Sequence, residues 1–211
     1  MDLVHAEERY KSIIGELILE QDFGDFLFNN RDYNGFTSWY SKHEELFNKS
    51  FYITHGLTKA VIIVKETGFV VKIPFSNLKE DYCKEELSVY CLACDCGVSD
   101  AFAWCEEFFS ITKDNKTADF YIMEYVEANE KRTSNFIKEN YPFISDSYTA
   151  DENDIEEDAI LELLYQLLGK EKFDKINDFF EEAGINDLHG GNVGWNNKGE
   201  LVLCDYSGYM G

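Results

Sequence analysis

Three polar residues near the C-terminus have the types and the spacing of a phosphoryl-transfer site. Asp187 and Asn192 lie five positions apart, and Asp205 follows in the same C-terminal region. A carboxylate and an amide oxygen are hard ligands of the kind that Mg²⁺ prefers. A second carboxylate nearby can act as a general base towards a hydroxyl group. The chemistry to expect from this set is metal-assisted transfer of a phosphoryl group.

The segment between Asn192 and Asp205 predicts a β-hairpin. Residues 193–195 and 201–204 are largely apolar, and the sequence Asn-Asn-Lys-Gly at 196–199 contains residues that tolerate a positive φ. Because an antiparallel hairpin brings its two open ends together, we expect the Asn192 amide and the Asp205 carboxylate to converge. Asp187 is expected on the loop that leads into the first strand.

This order of motifs resembles the catalytic loop and the metal-binding motif of the protein-kinase-like superfamily. The sequence at 187–192 reads Asp-Leu-His-Gly-Gly-Asn, and the sequence at 205–208 reads Asp-Tyr-Ser-Gly. The first wording is closer to the small-molecule and the bacterial or phage branches, such as aminoglycoside and choline kinase relatives, than to eukaryotic protein kinases. The resemblance implies ATP and Mg²⁺ as cofactors, with Asn192 and Asp205 as metal ligands and Asp187 as the catalytic residue that takes the acceptor's proton.

A lysine inside an apolar strand is the next candidate. Residues 60–64 and 69–74 predict two strands, and Lys72 lies within the second. A buried ammonium group is costly unless it meets an anion. The resemblance implies that Lys72 contacts the nucleotide phosphates and pairs with a glutamate of the helix predicted from residue 78 to about residue 93. We choose Glu86 over Glu85. The alternatives are a lysine that extends to water from an edge strand and a solvated glutamate.

Two further segments are similar to nucleotide-binding parts of the family. The strand predicted at 119–126 resembles the last strand of a kinase N-lobe and its hinge, with Met123 as gatekeeper and with backbone groups from Glu124 to Val126 facing adenine. An ordinary core strand is the alternative. The turn before residue 60 contains Gly56 and Thr58, which would cover the phosphates, although it has one glycine where protein kinases have three.

The expected fold is α+β, a two-lobed protein-kinase-like fold with a short, truncated C-lobe. Residues 1–50 are assigned to an N-terminal helical extension with a loop at 29–35, and residues 51–126 to an N-lobe with an antiparallel sheet and one helix. Residues 127–211 form the C-lobe, with loop and short helix up to residue 153 and two helices after it. The chain ends three residues past Gly208, so no activation segment is expected.

Composition limits the possible partners and the compartment. A net charge of −22 argues against nucleic-acid binding. No apolar run approaches the ~20 residues that a membrane helix needs, and the N-terminus lacks the features of a signal peptide. A cytoplasmic protein whose six cysteines are thiols is therefore expected. The spacing of Cys91, Cys94, Cys96 and Cys105 also permits a zinc site, but buried free thiols are favoured.

The favoured function is transfer of the γ-phosphate of ATP to a hydroxyl of an acceptor that the sequence leaves open. The alternative is a catalytically silent kinase-like protein that binds a basic partner protein through its acidic surface. A third hypothesis is an inhibitor that mimics the charge of DNA. High acidity also has the simpler explanation of solubility.

Overall fold

The structure is a computed structural model that describes residues 2–20, 22–43, 51–148, 155–185 and 188–206. Its described part is mixed α+β, with a five-stranded antiparallel sheet, a separate two-stranded hairpin and eight α-helices. The chain divides into two compact units. The first contains residues 1–87 and 105–125, and the second contains residues 88–104 and 126–211.

The five-stranded sheet lies in the first unit. Its strands are β1 (Tyr52–His55), β2 (Lys59–Val64), β3 (Phe69–Pro74), β4 (Cys105–Lys113) and β5 (Lys116–Glu124). Their order across the sheet is β1-β2-β3-β5-β4, and every neighbouring pair is antiparallel. Strands β2 and β3 confirm the predictions made from their apolar runs. Strand β5 begins before the predicted residue 119 and ends at Glu124 instead of Val126.

Strand β4 was not predicted from the sequence. It forms a hairpin with β5 through a two-residue turn at Asp114 and Asn115, whose φ values are 50° and 61°. Asp and Asn are among the few residues that accept a positive φ, and such turns are typical of tight hairpins. The Asp-Asn pair between two lysines was therefore a usable signal. The strand itself gave little pattern, because its side chains are mostly half-buried or exposed.

Three N-terminal helices belong to the same compact unit as the sheet. They are α1 (Leu3–Glu20), α2 (Phe23–Asn29) and α3 (Tyr33–Tyr40). The loop predicted at 29–35 is too long, since α3 begins at Tyr33. The reason is a helix cap: the Asp32 carboxylate accepts a hydrogen bond from the Gly35 amide at 2.7 Å. The second half of the predicted aromatic cluster, Leu46 and Phe47, lies outside the described residues.

Helix α1 is joined to the sheet by one buried tyrosine. The Tyr10 hydroxyl donates to the carbonyl oxygen of Phe69 at 2.5 Å and accepts from the amide of Val64 at 2.9 Å. These two groups flank the connection between β2 and β3. Because Tyr10 is fully buried, its hydroxyl supplies hydrogen bonds to two backbone groups that lie away from water. The apolar face of α1 adds the buried side chains of Ile13, Ile14 and Leu17.

Helix α4 (Tyr82–Cys96) follows the sheet's third strand. The sequence predicted a start at residue 78, four residues too early. The Asp81 side chain accepts hydrogen bonds from the amides of Cys83 and Lys84, both at 3.0 Å. These contacts satisfy amides of the first turn, which have no partner inside the helix, and so fix the start of the helix at Tyr82.

The described part of the second unit contains the C-terminal portion of α4, four further helices and the small hairpin. The helices are α5 (Glu130–Asn140), α6 (Pro142–Tyr148), α7 (Glu157–Leu168) and α8 (Lys170–Ala183). Residues 127–148, the described part of the region predicted as loop and short helix, are more helical than predicted. Helix α8 ends at Ala183, and the next residue, Gly184, has a φ of 67° that suits glycine. The hairpin pairs β6 (Val193–Trp195) with β7 (Leu201–Leu203), as its apolar flanks predicted. In the described part of the chain, no helix combines the length and apolar character needed to cross a membrane.

Candidate functional site

A buried cluster of three charged side chains lies in the first unit. Lys72 Nζ donates to both carboxylate oxygens of Glu86 at 2.9 Å, and Lys59 Nζ donates to Glu86 Oε1 at 2.5 Å. The exposed fractions of the three residues are 6% for Lys72, 1% for Glu86 and 4% for Lys59. Two ammonium groups therefore face one carboxylate where water has little access. Charged groups so deeply buried are kept only where they are paired.

The strand register explains why the two lysines meet the same glutamate. Lys72 of β3 pairs directly with Val61 of β2, and Lys59 lies two residues before Val61. Side chains two positions apart on a strand share a face, and directly paired residues of neighbouring strands do so as well. Both ammonium groups consequently rise from one face of the sheet, the face on which Glu86 of α4 contacts them.

Lys59 is a site residue that the sequence analysis missed. It heads a strand of apolar residues and follows an exposed turn, a position where an ordinary surface lysine is common. The pairing of β2 with β3 could have predicted it. Once the turn at 66–68 aligns the two strands, Lys59 and Lys72 lie on the same face of the sheet. Burial of Lys72 thus implies that Lys59 points in the same direction.

Glu85 lies outside this cluster. Its pKa is raised above the ordinary value by desolvation first, then by a hydrogen bond with Glu80 and by the charges of Glu80 and Asp81. Glu85 is part of an acidic group at the start of α4, while Glu86 is directed to the lysines. Of these two adjacent glutamates, Glu86 is therefore the one that contacts Lys72.

The cluster of Lys59, Lys72 and Glu86 lies beside a buried cysteine. Cys83 lies one helical turn before Glu86 and is 1% exposed. Burial raises the pKa of its thiol above the ordinary value, partly opposed by the nearby charges of Lys59 and Lys72. The thiol is therefore neutral at physiological pH and adds no charge to that of the two lysines, Glu86 and the nearby Asp81. Charge interactions are stronger in such a site than in water.

The turn between β1 and β2 contains Gly56 and Thr58. The Gly56 amide donates to the Lys59 carbonyl at 3.0 Å, and the Thr58 carbonyl accepts from the Phe75 amide at 2.9 Å. Gly56 is exposed, and a Cβ built on it meets nothing within 4 Å. Among the residues that the structure describes, no packing contact requires glycine at this position. Leu57, between the two, is 70% exposed.

The three residues expected at the adenine site follow one another along the chain. Met123 is buried in β5, paired with Val70 on one side and Cys105 on the other. Glu124 ends the strand and pairs with Phe69. Val126 follows, and its carbonyl accepts a hydrogen bond from the Ala128 amide at 3.1 Å. A carbonyl oxygen has a second lone pair for another donor.

The hairpin of the second unit places Asn192 and Asp205 at one end. Asn192 directly precedes β6, and its carbonyl accepts from the Cys204 amide at 2.9 Å. Asp205 is the next residue after Cys204. Asn192 is buried and Asp205 is half-buried. An amide oxygen and a carboxylate oxygen are a donor set that fits Mg²⁺, which binds through one or two protein carboxylates and keeps its other positions for water and phosphate.

A tight loop precedes this hairpin. The Asn192 amide donates to the His189 carbonyl at 2.9 Å, and the Gly191 amide donates to His189 Nδ1 at 3.0 Å. His189 thus shapes the loop through its ring nitrogen and its backbone. The predicted catalytic base, Asp187, lies outside the described residues.

Gly194 allows the hairpin to approach the chain at Glu127. A Cβ built on Gly194 would lie 2.6 Å from the Glu127 carbonyl oxygen and 2.7 Å from the Ala128 nitrogen. The neighbouring Trp195 exchanges two backbone hydrogen bonds with Glu127, at 3.0 and 3.2 Å. Any side chain at position 194 would push these backbones apart. The glycine is therefore needed for the position of the strand that follows Asn192.

Tyr206 anchors the segment that carries Asp205. Its side chain is 1% exposed, its hydroxyl donates to the Ala103 carbonyl at 2.9 Å, and its ring packs edge-on against Phe102 with centroids 5.1 Å apart. The Asp-Tyr-Ser-Gly motif thus has a buried tyrosine directly after the aspartate. Its hydrogen bond restricts the backbone on which Asp205 is carried.

The cysteines differ from expectation. Cys91, Cys94 and Cys96 are exposed on α4, while Cys105 is buried. The prediction that these thiols are buried at the helix end is wrong for the three helical ones, because they lie on the part of α4 that faces solvent. Among the residues that the structure describes, no group of three or more His, Cys, Asp or Glu side chains is placed to hold a metal ion.

Neither a family model nor a curated protein matches the chain.

Proposed function

We propose that the chain is an ATP- and Mg²⁺-dependent phosphotransferase of the protein-kinase-like type, which moves the γ-phosphate to a hydroxyl group. The observation that carries the proposal is the buried ion pair of Lys72 and Glu86, with Lys72 bonded to both carboxylate oxygens. A lysine held in this way presents a fixed positive charge from an antiparallel sheet. Such a group is suited to binding phosphate oxygens.

Each residue has a definite part in the proposed chemistry. Lys72 binds phosphate oxygens of the nucleotide, and Glu86 fixes the direction of its ammonium group. Asn192 and Asp205 hold Mg²⁺, which would neutralise charge on the transferring group. Asp187 orients the acceptor hydroxyl and takes its proton, a role that comes from the sequence motif alone.

The nucleotide is proposed to lie against the end of β5. Met123 limits the depth of the adenine pocket, and backbone groups of Glu124 and Val126 bind the base. Gly56 and Thr58 cover the phosphates. The empty space around Gly56 supports this role, because a Cβ built on this glycine has no neighbour within 4 Å among the described residues. A small residue at this turn leaves room for a phosphate to approach the backbone.

The test is calorimetric titration of Mg-ATP into the purified protein. We expect saturable binding that requires Mg²⁺ and is lost in Lys72→Ala and Asp205→Ala. Asp178→Ala, which removes an exposed carboxylate from α8, is the matched control and should bind as the parent does. Absence of Mg-ATP binding by the parent protein would reject the proposal and favour a kinase-shaped binding protein. Equal binding by the parent and Asp205→Ala would reject the metal site.

A further inference from the structure

We propose that Lys59 is a second phosphate-binding residue, so that polyphosphate is bound by two lysines held on one glutamate. The inference rests on the proposed function for its natural ligand, a nucleoside triphosphate. It adds to the proposed phosphate site a second lysine, which lies on β2 and not on β3. Lys59 was not expected at the site from any motif, and only the structure brings it to Glu86.

The first argument is geometric. Lys59 and Lys72 both lie within hydrogen-bond distance of Glu86 Oε1, at 2.5 and 2.9 Å. Their ammonium nitrogens are therefore close neighbours on one face of the sheet. Consecutive phosphates of a nucleotide carry oxygens at comparable spacing, so one polyphosphate chain can reach both groups.

The second argument concerns hydrogen-bonding capacity. An ammonium group has three N–H donors. Lys59 uses one of them for Glu86, and a phosphate oxygen, as a charged acceptor, competes strongly for the others. Glu86 then has two functions: it offsets the repulsion between the lysines and it points both of them in the same direction.

The third argument is the position of Lys59 in the chain. It is the first residue after the turn that contains Gly56 and Thr58, and its carbonyl closes that turn by accepting from the Gly56 amide. The turn proposed to cover the phosphates and the second lysine are thus parts of one short segment.

The test compares Lys59→Met, Lys72→Met and Lys79→Met by calorimetry with two probes, Mg-ATP and tripolyphosphate. Lys79 is an exposed lysine between the sheet and α4 and is the matched control. We expect Lys59→Met to weaken the binding of both probes at least tenfold, Lys59→Arg to restore most of it, and Lys79→Met to stay within about twofold, as expected of a screened surface charge. Binding of Mg-ATP by Lys59→Met within twofold of the parent, with loss in Lys72→Met, would overturn the inference and leave the proposed function intact.

Two further outcomes separate the inference from the proposed function. If the parent binds tripolyphosphate but not Mg-ATP, and Lys59→Met loses that binding, the two-lysine site stands and the kinase proposal fails. If the parent binds neither probe, both fail.

A labelling experiment on the parent protein covers the case in which Lys59→Met does not fold. An acyl phosphate ester of ATP transfers its acyl group to an amine beside the phosphates, forming an amide and releasing ATP. Peptide mass spectrometry should find the label on both Lys59 and Lys72, and unlabelled ATP should prevent it. Labelling of Lys72 alone would contradict the inference.

Discussion

Glu86 accepts hydrogen bonds from Lys72 through both of its carboxylate oxygens, each at 2.9 Å. This arrangement makes Glu86 the residue on which two buried cations depend. Removing one partner of a buried pair leaves the other charge without compensation, and this is more damaging than the pair is stabilising.

We therefore expect Glu86→Gln to lower the free energy of unfolding by about 3–5 kcal/mol. The adjacent Glu85→Gln is the matched control. Because Glu85 is repelled by Glu80 and Asp81, its neutralisation should change stability by less than about 0.5 kcal/mol or raise it slightly. Urea unfolding followed by circular dichroism measures both variants. Equal effects of the two substitutions would show that the buried cluster is not the anchor described here.

Tyr10 gives a prediction about pH. Burial raises the pKa of Tyr10 to about 12 from its ordinary value of 10.0, partly opposed by hydrogen bonds from Thr67 and Val64. A group with a raised pKa in the folded protein stabilises the fold fully below its unfolded pKa, and this contribution is lost as pH rises through the folded pKa. Stability should therefore fall between pH 10 and pH 12, by up to about 3 kcal/mol.

The comparison with Tyr10→Phe isolates that contribution from other titrating groups. At pH 7 the variant should be less stable by about 1–3 kcal/mol, because the hydrogen bonds of the Tyr10 hydroxyl with the Val64 amide and the Phe69 carbonyl are lost. Above pH 10 the difference between parent and variant should shrink. Tyr165→Phe, at a partly exposed position on α7, should have no such effect. A difference that stays constant from pH 7 to pH 12 would contradict the assignment.

Thiol reactivity should divide the cysteines by position. Cys91, Cys94 and Cys96 are exposed, whereas Cys83 and Cys105 are buried. The thiolate is the reactive species, and burial raises the pKa of Cys83. Cys83 is therefore protected from the reagent both by its lack of exposure and by its neutral thiol. Brief treatment of the native protein with iodoacetamide should label the three helical cysteines, and labelling of Cys83 and Cys105 should require denaturant. Peptide mass spectrometry identifies the labelled cysteines. Rapid labelling of Cys83 in the native protein would contradict the burial of the neighbouring cluster of Lys59, Lys72 and Glu86.

Gly194→Ala should be strongly destabilising, by about 2 kcal/mol or more, because the new methyl group would overlap the backbone at Glu127 and Ala128. Gly56→Ala is the matched control, since a Cβ there meets nothing and φ is not in the left-handed region. Thermal unfolding should separate the two variants. A Gly194→Ala protein as stable as Gly56→Ala would show that the hairpin does not depend on this close approach.

The sequence predicted the elements with a clear apolar pattern. Strands β2 and β3, the hairpin β6–β7 and helices α1, α7 and α8 carry such patterns, and the structure contains them. It did not predict β4, since half-buried side chains leave no alternation to detect. The sequence also did not predict the contact of Lys59 with Glu86. That contact depends on the pairing of β2 with β3 and on the position of α4. The start of α4 depended on one capping side chain, Asp81, that a periodicity argument does not weigh.

The hydrogen bonds of Tyr10 also bear on synthesis of the chain. Helix α1 leaves the ribosome before the sheet does, and the Phe69 carbonyl that accepts from Tyr10 comes 59 residues later. At a translation rate of about 5–20 residues per second, the helix waits roughly 3–12 s for its partner. During that interval Ile13, Ile14 and Leu17 have no sheet to cover them. Helix α1 is thus a segment of the nascent chain whose apolar face a chaperone would have several seconds to bind.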